Sequence, residues 1–171
     1  MNKLNEEQLL AFLTSGHSEE INKAIKYLFE QGISSLDFLQ SLEGQKEFCV
    51  SNLLGYEQWW CTAPIPPEYI LLVGPRESLT EKEKEESITV EVVSLYLISA
   101  IYSGSLTFYG SPFLVDVSLP KNDCRGANKE EYIARGFHSA RKWIRKCHKV
   151  GLEALREQKE HPLKSENLYW W

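Results

Sequence analysis

Residues 88–102 read Ile88-Thr89-Val90-Glu91-Val92-Val93-Ser94-Leu95-Tyr96-Leu97-Ile98-Ser99-Ala100-Ile101-Tyr102. This stretch decides the fold. It is the longest apolar run in the chain, yet it is shorter than the ~20 residues a membrane span needs and contains Glu91. Its first part alternates, with Ile88, Val90 and Val92 on one side, and β-branched residues favour a pleated surface. That pattern predicts a strand over 88–93, with a continuation or second strand over 95–102. Ser103-Gly104 and Gly110-Ser111-Pro112 are turn signals. They frame Leu106–Tyr109, and Phe113–Leu119 follows. With Tyr69–Val73 on the upstream side, residues 68–118 read as an antiparallel meander of about four strands.

Upstream of the meander, Pro64-Ile65-Pro66-Pro67 enforces an extended connector. Before it, residues 1–63 read as a helical cluster. Asn5 caps a first helix that Gly16 ends, and Ser18 caps a second with Ile21, Ala24, Ile25 and Leu28 at helical spacing. A third starts at Ser35 and stops at Gly44, and a fourth carries Phe48, Val50, Leu53 and Leu54. The acidic stretch Glu77–Glu86 reads as a solvated loop. Downstream, residues 128–159 read as one long helix with Asn128 as N-cap and Pro162 beyond its end. The expected fold class is therefore α+β. It comprises an N-terminal helical cluster (1–63), then a sheet with a long C-terminal amphipathic helix (64–171), expected to form one compact unit because 171 residues suit a single domain.

Charge is unevenly placed along the chain. Residues 1–134 carry a net −10 and residues 150–171 a net −1, whereas residues 135–149 carry +6 without a single acid. On a helical wheel, Phe137, Ala140, Ile144, Cys147, Gly151, Ala154 and Leu155 fall on one arc. Arg135, His138, Arg141, Lys142, Arg145, Lys146 and Lys149 fall on the other. Like charges one turn apart repel, and a merely solvated face usually interleaves acids. The seven groups are therefore the candidate polyanion-binding site, with a nucleic-acid backbone or an acidic protein surface as partner. The competing reading is neutralisation by the chain's own acidic body. No helix-turn-helix, zinc-finger or RNA-binding signature is present, so base-specific readout has no support.

Trp59-Trp60 and the terminal Tyr169-Trp170-Trp171 are candidate protein-interface residues, because Trp anchors interfaces and an apolar chain end needs a dock. Either a partner or second copy, or the chain's own core, can supply that dock. Cys49, Cys61, Cys124 and Cys147 form no Cys-x-x-Cys pair, and the first residues lack the apolar stretch of a secretory signal. This predicts reduced thiols and a cytoplasmic protein. The histidines show no zinc spacing, and no glycine-rich phosphate loop or nucleophile–base motif occurs. No metal, cofactor or catalytic residue is assigned. The functional expectation is a non-enzymatic binding subunit contacting a polyanion, within a larger assembly. A structural or adaptor protein using protein contacts alone is the alternative, and an enzyme with an unrecognised site is third.

Overall fold

The computed structural model describes residues 4–49, 51–54, 88–109, 111–119 and 127–170. Along the chain run α1 (Glu6–Leu13), α2 (Ser18–Gln31), a 3-10 turn (Gly32–Ser35) and α3 (Leu36–Ser41). After a second 3-10 turn (Asn52–Leu54) come α4 (Val90–Ser103), β1 (Leu114–Asp116), α5 (Glu130–Val150), α6 (Leu152–Glu157), a 3-10 turn (Lys164–Glu166) and β2 (Leu168–Trp170). Among the described residues the architecture is mixed: mostly helical, with one small antiparallel sheet.

The stretch at 88–102 is a helix, not the expected strands. Every residue from Val90 to Ile101 is buried. A helix apolar on all sides carries no 3.6-residue signal, so its β-branched start mimicked strand alternation. Only Thr89 keeps a β contact, an isolated bridge to Phe48. Gly104, at φ 77°, closes α4 by donating its amide to the Ala100 carbonyl at 2.8 Å. The polar residues inside α4 are satisfied. Glu91 accepts from the Gly44 amide at 2.9 Å, Ser94 donates to the Leu39 carbonyl, and the Tyr96 hydroxyl donates to the Leu106 carbonyl at 2.9 Å. α2, α3, α5 and α6 pack around α4, so one continuous core joins the N-terminal helices to the C-terminal ones.

The expected four-strand meander reduces to one strand in the described residues. Leu106–Tyr109 forms turns, β1 occupies the middle of the expected 113–119 strand, and Tyr69–Val73 lies outside the described residues. The partner of β1 is the chain's own end: Leu114, Val115 and Asp116 face Trp170, Tyr169 and Leu168 in antiparallel register. The expected 128–159 helix is divided. Lys129, not Asn128, takes the N-cap, and Gly151 at φ 85° separates α5 from α6; likewise His17, not Ser18, takes the N-cap of α2. Asn128 instead braces β1. Its side chain accepts from the Leu114 amide at 2.7 Å and donates to the Pro112 carbonyl at 3.0 Å. The expected fourth helix is represented by the short turn at Asn52–Leu54, and Phe48 is exposed.

Candidate cationic site on helix α5

α5 buries Tyr132, Ile133, Gly136, Phe137, Ser139, Ala140, Trp143, Ile144 and Cys147. Gly136 is required for close approach, since a Cβ there would lie 2.9 Å from a Leu95 methyl of α4. The opposite side presents the seven expected cationic or titratable groups, but the fold treats them differently.

Arg135 is a structural group. It donates to the Asp116 carboxylate at 2.7 Å and to the Glu166 carbonyl at 2.6 Å, with its Nε 3.6 Å from the Glu166 carboxylate. It thereby ties α5 to one end of the strand pair, where β1 finishes at Asp116 and the chain enters β2. Burial works to raise the Asp116 pKa, but the Ser118 hydroxyl and amide and the Arg135 guanidinium outweigh it and hold the carboxyl below its ordinary value. Arg141 pairs with Glu43 at the end of the α3 turn. Lys146 lies 3.2 Å from Glu160, His138 3.9 Å from Glu166, and His148 3.3 Å from Asp37. Three of the six Lys and Arg of the face, Arg135, Arg141 and Lys146, thus have carboxylate partners within the chain, in line with the competing reading. These acids come from distant parts of the chain, so local sequence gave no sign of them.

Lys142, Arg145 and Lys149 differ. All three are exposed, and among the described residues no carboxylate is paired with any of them. Their spacing of three and four residues sets them in one stripe along α5.

The aromatic candidates divide as well. Trp59, Trp60 and Trp171 lie outside the described residues. Tyr169 and Trp170, expected at an interface, are core residues of their own chain. The Trp170 indole donates to Ser99 at 2.9 Å and meets the Tyr96 ring edge-on at 5.2 Å. A terminal strand that completes a sheet gives the apolar tail its dock.

One group of neighbours went unread in the sequence. The segment after α6 folds back beside α5 and leaves an open cleft of about 390 Å³, flanked by Lys142, Lys146, Lys164, Glu160 and His161. Lys146 is the chief cause of a lowered Glu160 pKa. Burial, with Lys164 adding to it, drops His161 to about 4, so its imidazole is neutral at pH 7. The sole local signal was Pro162, which fixes where the helix must stop and the chain turn back.

Among the described residues Cys49 and Cys147 are buried free thiols, and burial pushes Cys49 up to about 12. No helix among the described residues is long and apolar enough to cross a membrane. Compared with known proteins, the chain matches no family model, no curated protein and no solved structure.

Proposed function

We propose that this chain is a binding subunit that meets a polyanion, a nucleic-acid backbone before others, through Lys142, Arg145 and Lys149 of α5. The carrying observation is selective neutralisation. The body outside residues 135–149 is strongly acidic and supplies carboxylates to Arg135, Arg141 and Lys146, yet this stripe has none from the described residues. Three like charges within two helical turns cost helix stability, and an anionic partner offsets that cost. Ammonium and guanidinium groups at this spacing suit successive backbone phosphates, which position a protein without reading bases. Place in a larger assembly and a cytoplasmic setting belong to the same proposal, and the free thiols of Cys49 and Cys147 support the latter.

The test is the combined change Lys142→Glu, Arg145→Glu and Lys149→Glu, with binding to a labelled DNA duplex followed by anisotropy. The side chains are exposed, so the variant is expected to keep its melting temperature while affinity falls by at least about a hundredfold. Unchanged affinity would refute the proposal. A complex that survives nuclease but not charge reversal would favour an acidic protein partner instead.

A further inference from the structure

The cleft beside α5 has features of a built site rather than a packing defect. Its far wall, residues 160–165, is pinned to α5 at several points. The Trp143 indole donates to the Glu160 carbonyl at 2.7 Å, and Ser139 donates to the Pro162 carbonyl at 2.6 Å while lying 2.8 Å from the Ser165 hydroxyl. The segment is bracketed by two non-glycine residues in the left-handed region, Lys159 at φ 53° and Asn167 at φ 54°. Both end a helical turn: beyond Lys159 the Glu160 amide donates to the Leu155 carbonyl at 2.9 Å, and Asn167 caps the Lys164–Glu166 turn, so the two fix where the wall begins and stops.

The chemistry of the lining is specific. Lys146 and Lys164 converge on one carboxylate, at 3.2 Å and 3.7 Å from the two oxygens of Glu160. An anionic oxygen pair is thus already accommodated between them. Each ammonium has three donors. Lys146 uses one on Glu160, Lys164 uses a second on the Lys159 carbonyl at 3.3 Å, and Lys142 is not engaged by a described carboxylate. Three ammoniums against one carboxylate leave an excess of two positive charges. His161 adds no charge, and its imidazole is able to give or accept a hydrogen bond at the cleft. Trp143 and Pro162 supply an apolar side. The volume falls at the small end of the ligand-pocket range of roughly 300–1,000 Å³.

We propose that this cleft binds a phosphate monoester, its dianionic phosphate held by Lys142, Lys146 and Lys164 and its organic part resting toward Trp143 and Pro162. A phosphate monoester carries about −1.5 to −2 charges at neutral pH, which matches the excess in the cleft. Arg145 and Lys149 take no part, and only Lys142 is shared with the stripe. The two proposals therefore fail separately.

The test uses the full chain and calorimetric titration with ribose 5-phosphate, with ribose as control. Ribose 5-phosphate is expected to bind with a dissociation constant of about 1 mM or tighter, and ribose not at all. Lys146→Gln and Lys164→Gln are each expected to weaken it about tenfold through loss of a charge-assisted contact. The neutral double change Arg145→Gln and Lys149→Gln, which puts no carboxylate one turn from Lys142 or Lys146, is expected to keep the affinity within about threefold. In unaltered protein, the ring-proton resonance of His161 shifts on saturation, a reading that needs no variant. Short DNA with a 5′-phosphate or a 5′-hydroxyl separates the sources. Tighter binding of the phosphorylated strand assigns the ester to a nucleic-acid end, and preference for the sugar phosphate alone assigns it to a small molecule. No heat and no His161 shift with either ester, equal binding of ribose, or indifference to both lysine changes overturns the proposal.

Discussion

Arg135 stood among the polyanion candidates in the sequence, and the fold gives it a different task. The perturbation is Arg135→Ala. It removes two short hydrogen bonds, to the Asp116 carboxylate and the Glu166 carbonyl, and takes the guanidinium from a carboxylate that is only 7% exposed. Breaking a buried ion pair costs about 3–5 kcal/mol, because the remaining charge loses its partner. Two features lower that figure here. The Arg135 side chain is 28% exposed, so water already screens part of the pair, and Asp116 keeps its bonds from the Ser118 amide and hydroxyl. The expected loss is about 2–3 kcal/mol, equivalent to roughly 5–10 °C in melting temperature for a chain of this size. Urea denaturation at pH 7 measures it. The deficit also has a pH signature. The Asp116 pKa is lowered in the folded state, so its stabilisation is fully present above the ordinary Asp pKa of about 3.9. It is lost as pH falls through the folded value. The difference between wild type and Arg135→Ala therefore narrows in acid. A variant within about 0.5 kcal/mol of wild type at pH 7 would refute this role. So would loss of nucleic-acid affinity at unchanged stability, which would return Arg135 to the binding face.

His161 predicts a second pH effect in a different window. Its folded pKa is depressed from 6.5 to about 4, so the unfolded chain takes up the proton first. Stability falls as pH drops from about 6.5 toward 4, by up to roughly 3 kcal/mol, and His161→Gln flattens this stretch of the stability–pH curve. A wild-type curve already flat between those values would contradict it. Trp170→Ala removes a fully buried indole and its bond to Ser99, and is expected to cost about 3–5 kcal/mol by urea denaturation. A near-neutral result would mean that the tail does not dock on its own chain in solution.

The parts legible in the sequence were those with local causes. Asn5 accepts from the Gln8 amide in a capping box, and α2 buries Ile21, Ala24, Ile25 and Leu28 at the spacing the sequence announced. The apolar arc of α5 was legible for the same reason, because Phe137, Ala140, Ile144 and Cys147 recur with the helical period. α4 was misread because full burial erases periodicity, leaving β-branched residues as the only local cue. The pairing of β1 with β2 joins residues more than fifty positions apart, and no local pattern encodes that. The same holds for the cationic face. Segregation of charge was visible, whereas the division between neutralised and unneutralised groups depends on Glu43, Asp116, Glu160 and Glu166, which only the folded chain brings near. Tyr169 and Trp170 were read for their composition, and their burial follows from the strand pairing that composition does not show.

If Lys142, Arg145 and Lys149 contact backbone phosphates, the salt dependence of duplex binding reports how many phosphates they neutralise. Each neutralised phosphate contributes about −0.9 to the slope of log affinity against log salt. Three contacts give about −2.7. Contact through all six Lys and Arg of residues 135–149 would give a slope of about −5.4. Between about 50 and 200 mM salt, wild-type affinity should fall roughly fortyfold, and Lys142→Glu, Arg145→Glu and Lys149→Glu together should abolish both binding and slope. Wild-type binding that ignores salt, or a triple variant that keeps the wild-type slope, would contradict the account.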